Sequence, residues 1–138
     1  MVKYEMYERI YYALQPKLDP NRRIDVLRSS NDPELEKYFK WTGSRGSTHM
    51  EEDNKIYVKI DDTGNATKGT WLEEFAHALQ FLKYGNILLS SDNQESLARE
   101  YEIAICLIKK SNQLGLSEDD IKESKKIIKE YEEYCKNA

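Results

Sequence analysis

Thr70-Trp71-Leu72-Glu73-Glu74-Phe75-Ala76-His77-Ala78-Leu79-Gln80 is the stretch whose reading decides the fold. It lies inside a longer segment, from about Ala66 to Tyr84, that has helical periodicity and meets Gly85-Asn86 at its end. At about 100° per residue, Trp71, Leu72, Phe75, Ala78, Leu79 and Leu82 fall on one side and form a sufficient core face. Glu73, His77, Gln80 and Tyr84 fall on the other, with Glu74 and Phe81 at its edge. That second face carries carboxylates, an imidazole and an amide rather than alternating lysine and glutamate. Glu73 and His77 are one turn apart and can address a single ion, and Glu74 can reach its side.

Outward from this helix, Lys55-Ile56-Tyr57-Val58-Lys59-Ile60-Asp61 alternates apolar and polar positions, which predicts a half-buried strand and a hairpin turning at Asp53-Asn54. Residues 42–47 read as loop. Asp32-Pro33 opens a helix through about Trp41, with Asp32 as cap and Pro33 at the first helical position. Ile24 to Arg28 is a short strand, and residues 3–15 form a first helix closed by Pro16. Downstream, a helix runs from Ser91-Asp92 to about Asn112, and a last one, capped by Ser117, reaches the C-terminus. The sum is an α+β chain: a small N-terminal antiparallel sheet with helices, then three long helices, folded as a single domain over residues 1–138.

The chain has 138 residues, 33% charged and 39% hydrophobic, with net charge −4 and mean hydropathy −0.81. A basic stripe of the kind that binds nucleic acid is absent, because Lys122, Lys125, Lys126 and Lys129 interleave with seven acidic residues between Glu118 and Glu133. No apolar run approaches a membrane span, and the N-terminus lacks a signal-peptide core. Neither a nucleic-acid nor a membrane partner is expected. Cys106, in an apolar run, reads as a small core residue, and with Cys135 it makes no disulfide framework. The expected location is cytoplasmic, or wherever a larger exported parent chain delivers this one. Trp41 and Trp71 both read as core, and the tyrosines mostly as half-buried packing residues.

The Glu73-Glu74-Phe75-Ala76-His77 stretch resembles the active-site helix of zincin metallopeptidases, with Glu73 in place of the first histidine of HExxH. The similarity spans roughly residues 48–108. It is nearest to the zincin-like metallopeptidase domains of bacterial polymorphic toxins, in which a glutamate-rich helix follows and supplies a third ligand. Ala98-Arg99-Glu100-Tyr101-Glu102-Ile103-Ala104 is similar to that helix. The resemblance implies metal ligands Glu73, His77 and Glu100, with Glu95 and Glu102 as alternatives to Glu100. It implies Glu74 as general base, and His49, Tyr57 or Tyr84 as substrate-facing donors to the oxyanion. It further implies that the strand at 56–60 offers an edge to a peptide, and that an immunity or partner protein accompanies the chain. The implied cofactor is a divalent metal, zinc by family. A set of two carboxylates and one imidazole is harder, and shifts preference toward Mn, Fe or Mg. The competing function is a catalytically inactive version of the fold that serves as a protein-binding module. The Glu74/His77 pair also occurs in di-iron bundles, but those need a second such pair, and His49 is not part of one.

Overall fold

The computed structural model describes residues 17, 19–21, 23–63, 66–85 and 93–137, the last stretch in side-chain detail from 96 onward. The helix expected over 3–15 lies outside the described residues. The chain divides into two compact units, Met1–Leu89 and Ser90–Ala138.

In the first unit the element order is β1 (Ile24–Arg28), α1 (Pro33–Thr42), β2 (Gly46–Met50), β3 (Ile56–Ile60) and α2 (Lys68–Tyr84), with a single 3₁₀ turn at Ser29–Asn31. The strands form one sheet in the order β1-β3-β2. β2 and β3 are the expected hairpin, antiparallel with Met50 opposite Ile56. Asn54 takes the left-handed conformation at its turn, φ 69°, which asparagine tolerates well. β1 runs parallel to β3, Ile24 opposite Ile56, so the sheet is mixed rather than antiparallel. The β1–β3 connection contains α1 and β2, and a crossover of that kind is what parallel pairing requires.

This topology corrects a second expectation. The strand at 56–60 is central, and among the described residues the edges are β1 and β2. Ile56, Val58 and Ile60 are fully buried, each stabilising the core by roughly 1.5–3 kcal/mol. Their face packs with Met50, Ala66, Trp71, Phe75 and Ala78. Trp71 is wholly enclosed, its ring centroid 5.4 Å from that of Phe75.

Local chemistry sets the element ends. Asp32 Oδ1 accepts from the backbone N–H groups of Glu34 and Leu35 at 3.1 and 3.2 Å, satisfying two of the donors a helix start leaves open. Gly43, φ 72°, closes α1. Thr67 and Thr70 form a capping box at the start of α2. The turn after β3 is tied to the end of β1 by a polar knot. Ser29, buried, donates to Asp61 Oδ1 at 2.9 Å and lies within 3.0 Å of Asp62 Oδ1 and 2.9 Å of the Thr63 hydroxyl. Asp62 also accepts from the backbone and the hydroxyl of Ser30. Ser29→Ala removes the donor facing the buried Asp61 carboxylate, and is expected to cost about 1–3 kcal/mol, read from urea unfolding midpoints. A loss within a few tenths would mean that the knot is not what holds the turn after β3 to the end of β1.

In the second unit, α3 (Asn93–Lys109), a short α4 (Ser111–Leu114) and α5 (Glu118–Asn137) follow one another. The helix expected to reach Asn112 breaks at Lys110, φ −105° and ψ 10°. α3 and α5 pack together, Tyr101 stacking on Tyr131 with centroids 4.4 Å apart. Ser117 Oγ accepts from Asp120 N at 3.2 Å, capping α5 as expected. Cys135 beside the Tyr131 hydroxyl pushes that phenol above its ordinary range. Among the described residues, no helix is long and apolar enough to cross a membrane.

Three side chains read as core are not. Trp41 is 84% exposed, because α1 buries Leu35 and Phe39 and Trp41 lies about 200° around the helix from Phe39. Cys106 is exposed, turned aside from the buried stripe of Ile103, Ala104 and Leu107. Leu79 is 40% exposed, while Glu74 and Gln80 on the same helix are buried.

Candidate metal centre

Glu73, Glu74, His77 and Gln80 all project from α2, and the burial of α2 determines what each can do. Its sheet-facing side runs through Trp71, Phe75 and Ala78. Glu74 sits next to that side, toward β2, and is only 8% exposed. A carboxylate tolerates burial there because β2 makes room and supplies a donor. Gly46 has no side chain, and a Cβ at that position would stand 2.8 Å from Glu74 Cγ and 3.1 Å from Thr70 Cγ2. Two positions along, the Thr48 hydroxyl lies 3.0 Å from the Glu74 carbonyl oxygen and 3.4 Å from Glu74 Oε2. Gly46→Ala should therefore overpack the β2–α2 seam and destabilise the protein by about 1–3 kcal/mol, measured by chemical unfolding. A variant as stable as the parent would show that the seam has slack.

About 60° further round the helix from Glu74 is His77, and a further 40° brings Glu73. His77 Nδ1 lies 3.1 Å from Gln80 Oε1, and Gln80 is 5% exposed. By helical spacing Gln80 stands about 180° from Trp71, on the polar side of α2. Glu73, His77 and Glu100 each place one ligand atom within 4.8 Å of the other two, and all three are half-buried. Among the described residues, this is the one group of three or more His, Cys, Asp or Glu side chains whose ligand atoms come so close. Two metal–ligand bonds of roughly 2.0–2.2 Å span at most about 4.4 Å, so a divalent cation would draw these three atoms slightly closer together.

Of the residues weighed for the third position, Glu100 joins the group. Glu102 is exposed, and the side chain of Glu95 lies outside the described ones. His49 and Tyr57 are directly opposed across β2 and β3, with rings 5.5 Å apart. Opposed residues share a face of the sheet. The neighbouring positions Thr48 and Val58 face α2, so His49 and Tyr57 face away from it. His49 instead pairs with Glu51 at 3.0 Å. Their placement gives no support to a role beside Glu73 and His77. Tyr84 ends α2, partly exposed, with the Lys83 ammonium 5.0 Å from its ring centroid.

Sequence spacing put Gln80 on the polar face without a role, and gave Gly46 and Thr48 none. The i, i+3 rule that pairs side chains along a helix predicts the Gln80–His77 contact. Nothing local in the sequence predicts that β2 packs its glycine on Glu74. Compared with known proteins, the chain matches no family model, no curated protein and no solved structure.

Proposed function

We propose that this chain is a metal-dependent hydrolase of the metallopeptidase kind, in which Glu73, His77 and Glu100 hold one divalent cation and Glu74 is the general base. The observation that carries the reading is the convergence of the three ligand atoms within 4.8 Å. The donor set fits a cation: two carboxylates, and an imidazole whose other nitrogen meets a buried amide.

A divalent cation held there would polarise a scissile carbonyl and acidify the attacking water. The chain's own residues do the rest. Glu74, adjoining His77 on α2, takes the proton of the attacking water and returns it to the leaving amine. The Thr48 hydroxyl, 3.0 Å from the Glu74 backbone carbonyl and 3.4 Å from its carboxylate, ties this turn of α2 to β2. Among the described residues β2 pairs with β3 alone, and an extended peptide substrate would add to its outer edge as a further strand. The edge role expected for 56–60 thus passes to β2. The harder donor set raises Mn, Fe and Mg relative to zinc. The toxin setting and an immunity partner rest on the resemblance over residues 48–108 alone.

The test is calorimetric titration of chelator-stripped protein with Mn²⁺ and Zn²⁺. One equivalent per chain is expected. Absence of saturable uptake would remove the metal and the hydrolase together. Uptake without any hydrolysis would favour the binding-module reading.

A further inference from the structure

Gln80 is the least expected buried residue of α2. Amides are rarely this enclosed, and an amide at 5% exposure is held by partners of fixed polarity. One of them is His77 Nδ1, at 3.1 Å from the amide oxygen. A carbonyl oxygen carries no proton and can only accept, so the nitrogen facing it donates. A neutral imidazole has a single N–H. If it is on Nδ1, the lone pair that can ligate is on Nε2. The free histidine ring in water favours the opposite form, with the proton on Nε2, so this arrangement has to be imposed by the protein.

We propose that Gln80 is a positioning residue that holds His77 as its Nδ1–H tautomer and presents Nε2 as the ligand atom to a divalent cation. The second half of this inference rests on the metal reading above; the first half does not. Gln80 acts through His77 and touches neither cation nor substrate. Its backbone is part of the same rigid helix, three residues on, so the amide and the ring keep their relation without help from a loop. Loss of an outer-shell partner of this kind typically lowers metal affinity by about 10–100-fold.

Long-range ¹H–¹⁵N correlation spectra of the metal-free protein, at a pH where the ring is neutral, read the tautomer directly. The chain has two histidines, and His49→Gln leaves the His77 pattern alone. The expected result is the Nδ1–H pattern, with an unprotonated Nε2. In Gln80→Leu the pattern should revert toward Nε2–H, and Mn²⁺ affinity should fall about 10–100-fold. In Gln80→Glu, which keeps an acceptor oxygen, the Nδ1–H pattern should persist and affinity should be retained. This second variant also serves if leucine disturbs the fold. An Nε2–H pattern in the parent protein overturns the proposal, whether or not cation is taken up. An Nδ1–H pattern in a protein that takes up no cation confirms the tautomer and overturns the metal reading, so the two failures are distinguishable.

Discussion

Glu74→Gln is expected to lower hydrolysis of a fluorescence-quenched casein by about 10²–10⁴-fold, the usual contribution of a general base, while cation uptake stays unchanged. The substitution is nearly isosteric. It leaves an oxygen for the Thr48 hydroxyl, which lies 3.4 Å from Glu74 Oε2, and it fits the same space against Gly46. What it removes is basicity. Glu74 is not among the three side chains whose ligand atoms converge, so the site should load normally. If hydrolysis persists, Glu74 is a seam residue between α2 and β2 and the base lies elsewhere. If uptake disappears as well, Glu74 belongs with the ligands.

His77→Ala should reduce cation affinity by more than the roughly 10–100-fold that losing an outer-shell partner costs, because it removes the only imidazole of the set. It also takes away a hydrogen-bonding partner of the buried Gln80 amide, which should cost about 1–3 kcal/mol of stability. A polar helix face without a metal predicts something different. There the loss of the Gln80 contact would cost the same stability, and titration would show no change. Calorimetric titration of the variant separates the two accounts. Unchanged cation affinity contradicts the ligand assignment.

Much of the local structure was legible in the sequence because it rests on neighbours in the chain. Asp32 caps α1 through its own backbone two and three residues on. The alternation of Ile56, Val58 and Ile60 gave a strand, and Asp53-Asn54 its hairpin. The placing of Glu73 and His77 on one face of a helix needed only the helical repeat. What could not be read depends on partners distant in sequence. The parallel pairing of β1 with β3 is set by how the crossover through α1 packs, which no local pattern encodes. Burial of Glu74 depends on the missing side chain of Gly46, and the buried face of α2 is turned toward Glu74 and away from Leu79, about 140° round the helix. Trp41 misled for a related reason. Its size argued for burial, but the buried face of α1 was already occupied by Leu35 and Phe39.

The central claim is that Glu73, His77 and Glu100 share one cation. Anomalous diffraction from crystals grown with Mn²⁺, collected near the manganese edge, addresses it most directly. The account predicts one anomalous peak per chain, about 2.0–2.2 Å from a carboxylate oxygen of Glu73, a carboxylate oxygen of Glu100 and Nε2 of His77. A peak held by other side chains, or none at saturating Mn²⁺, would contradict it.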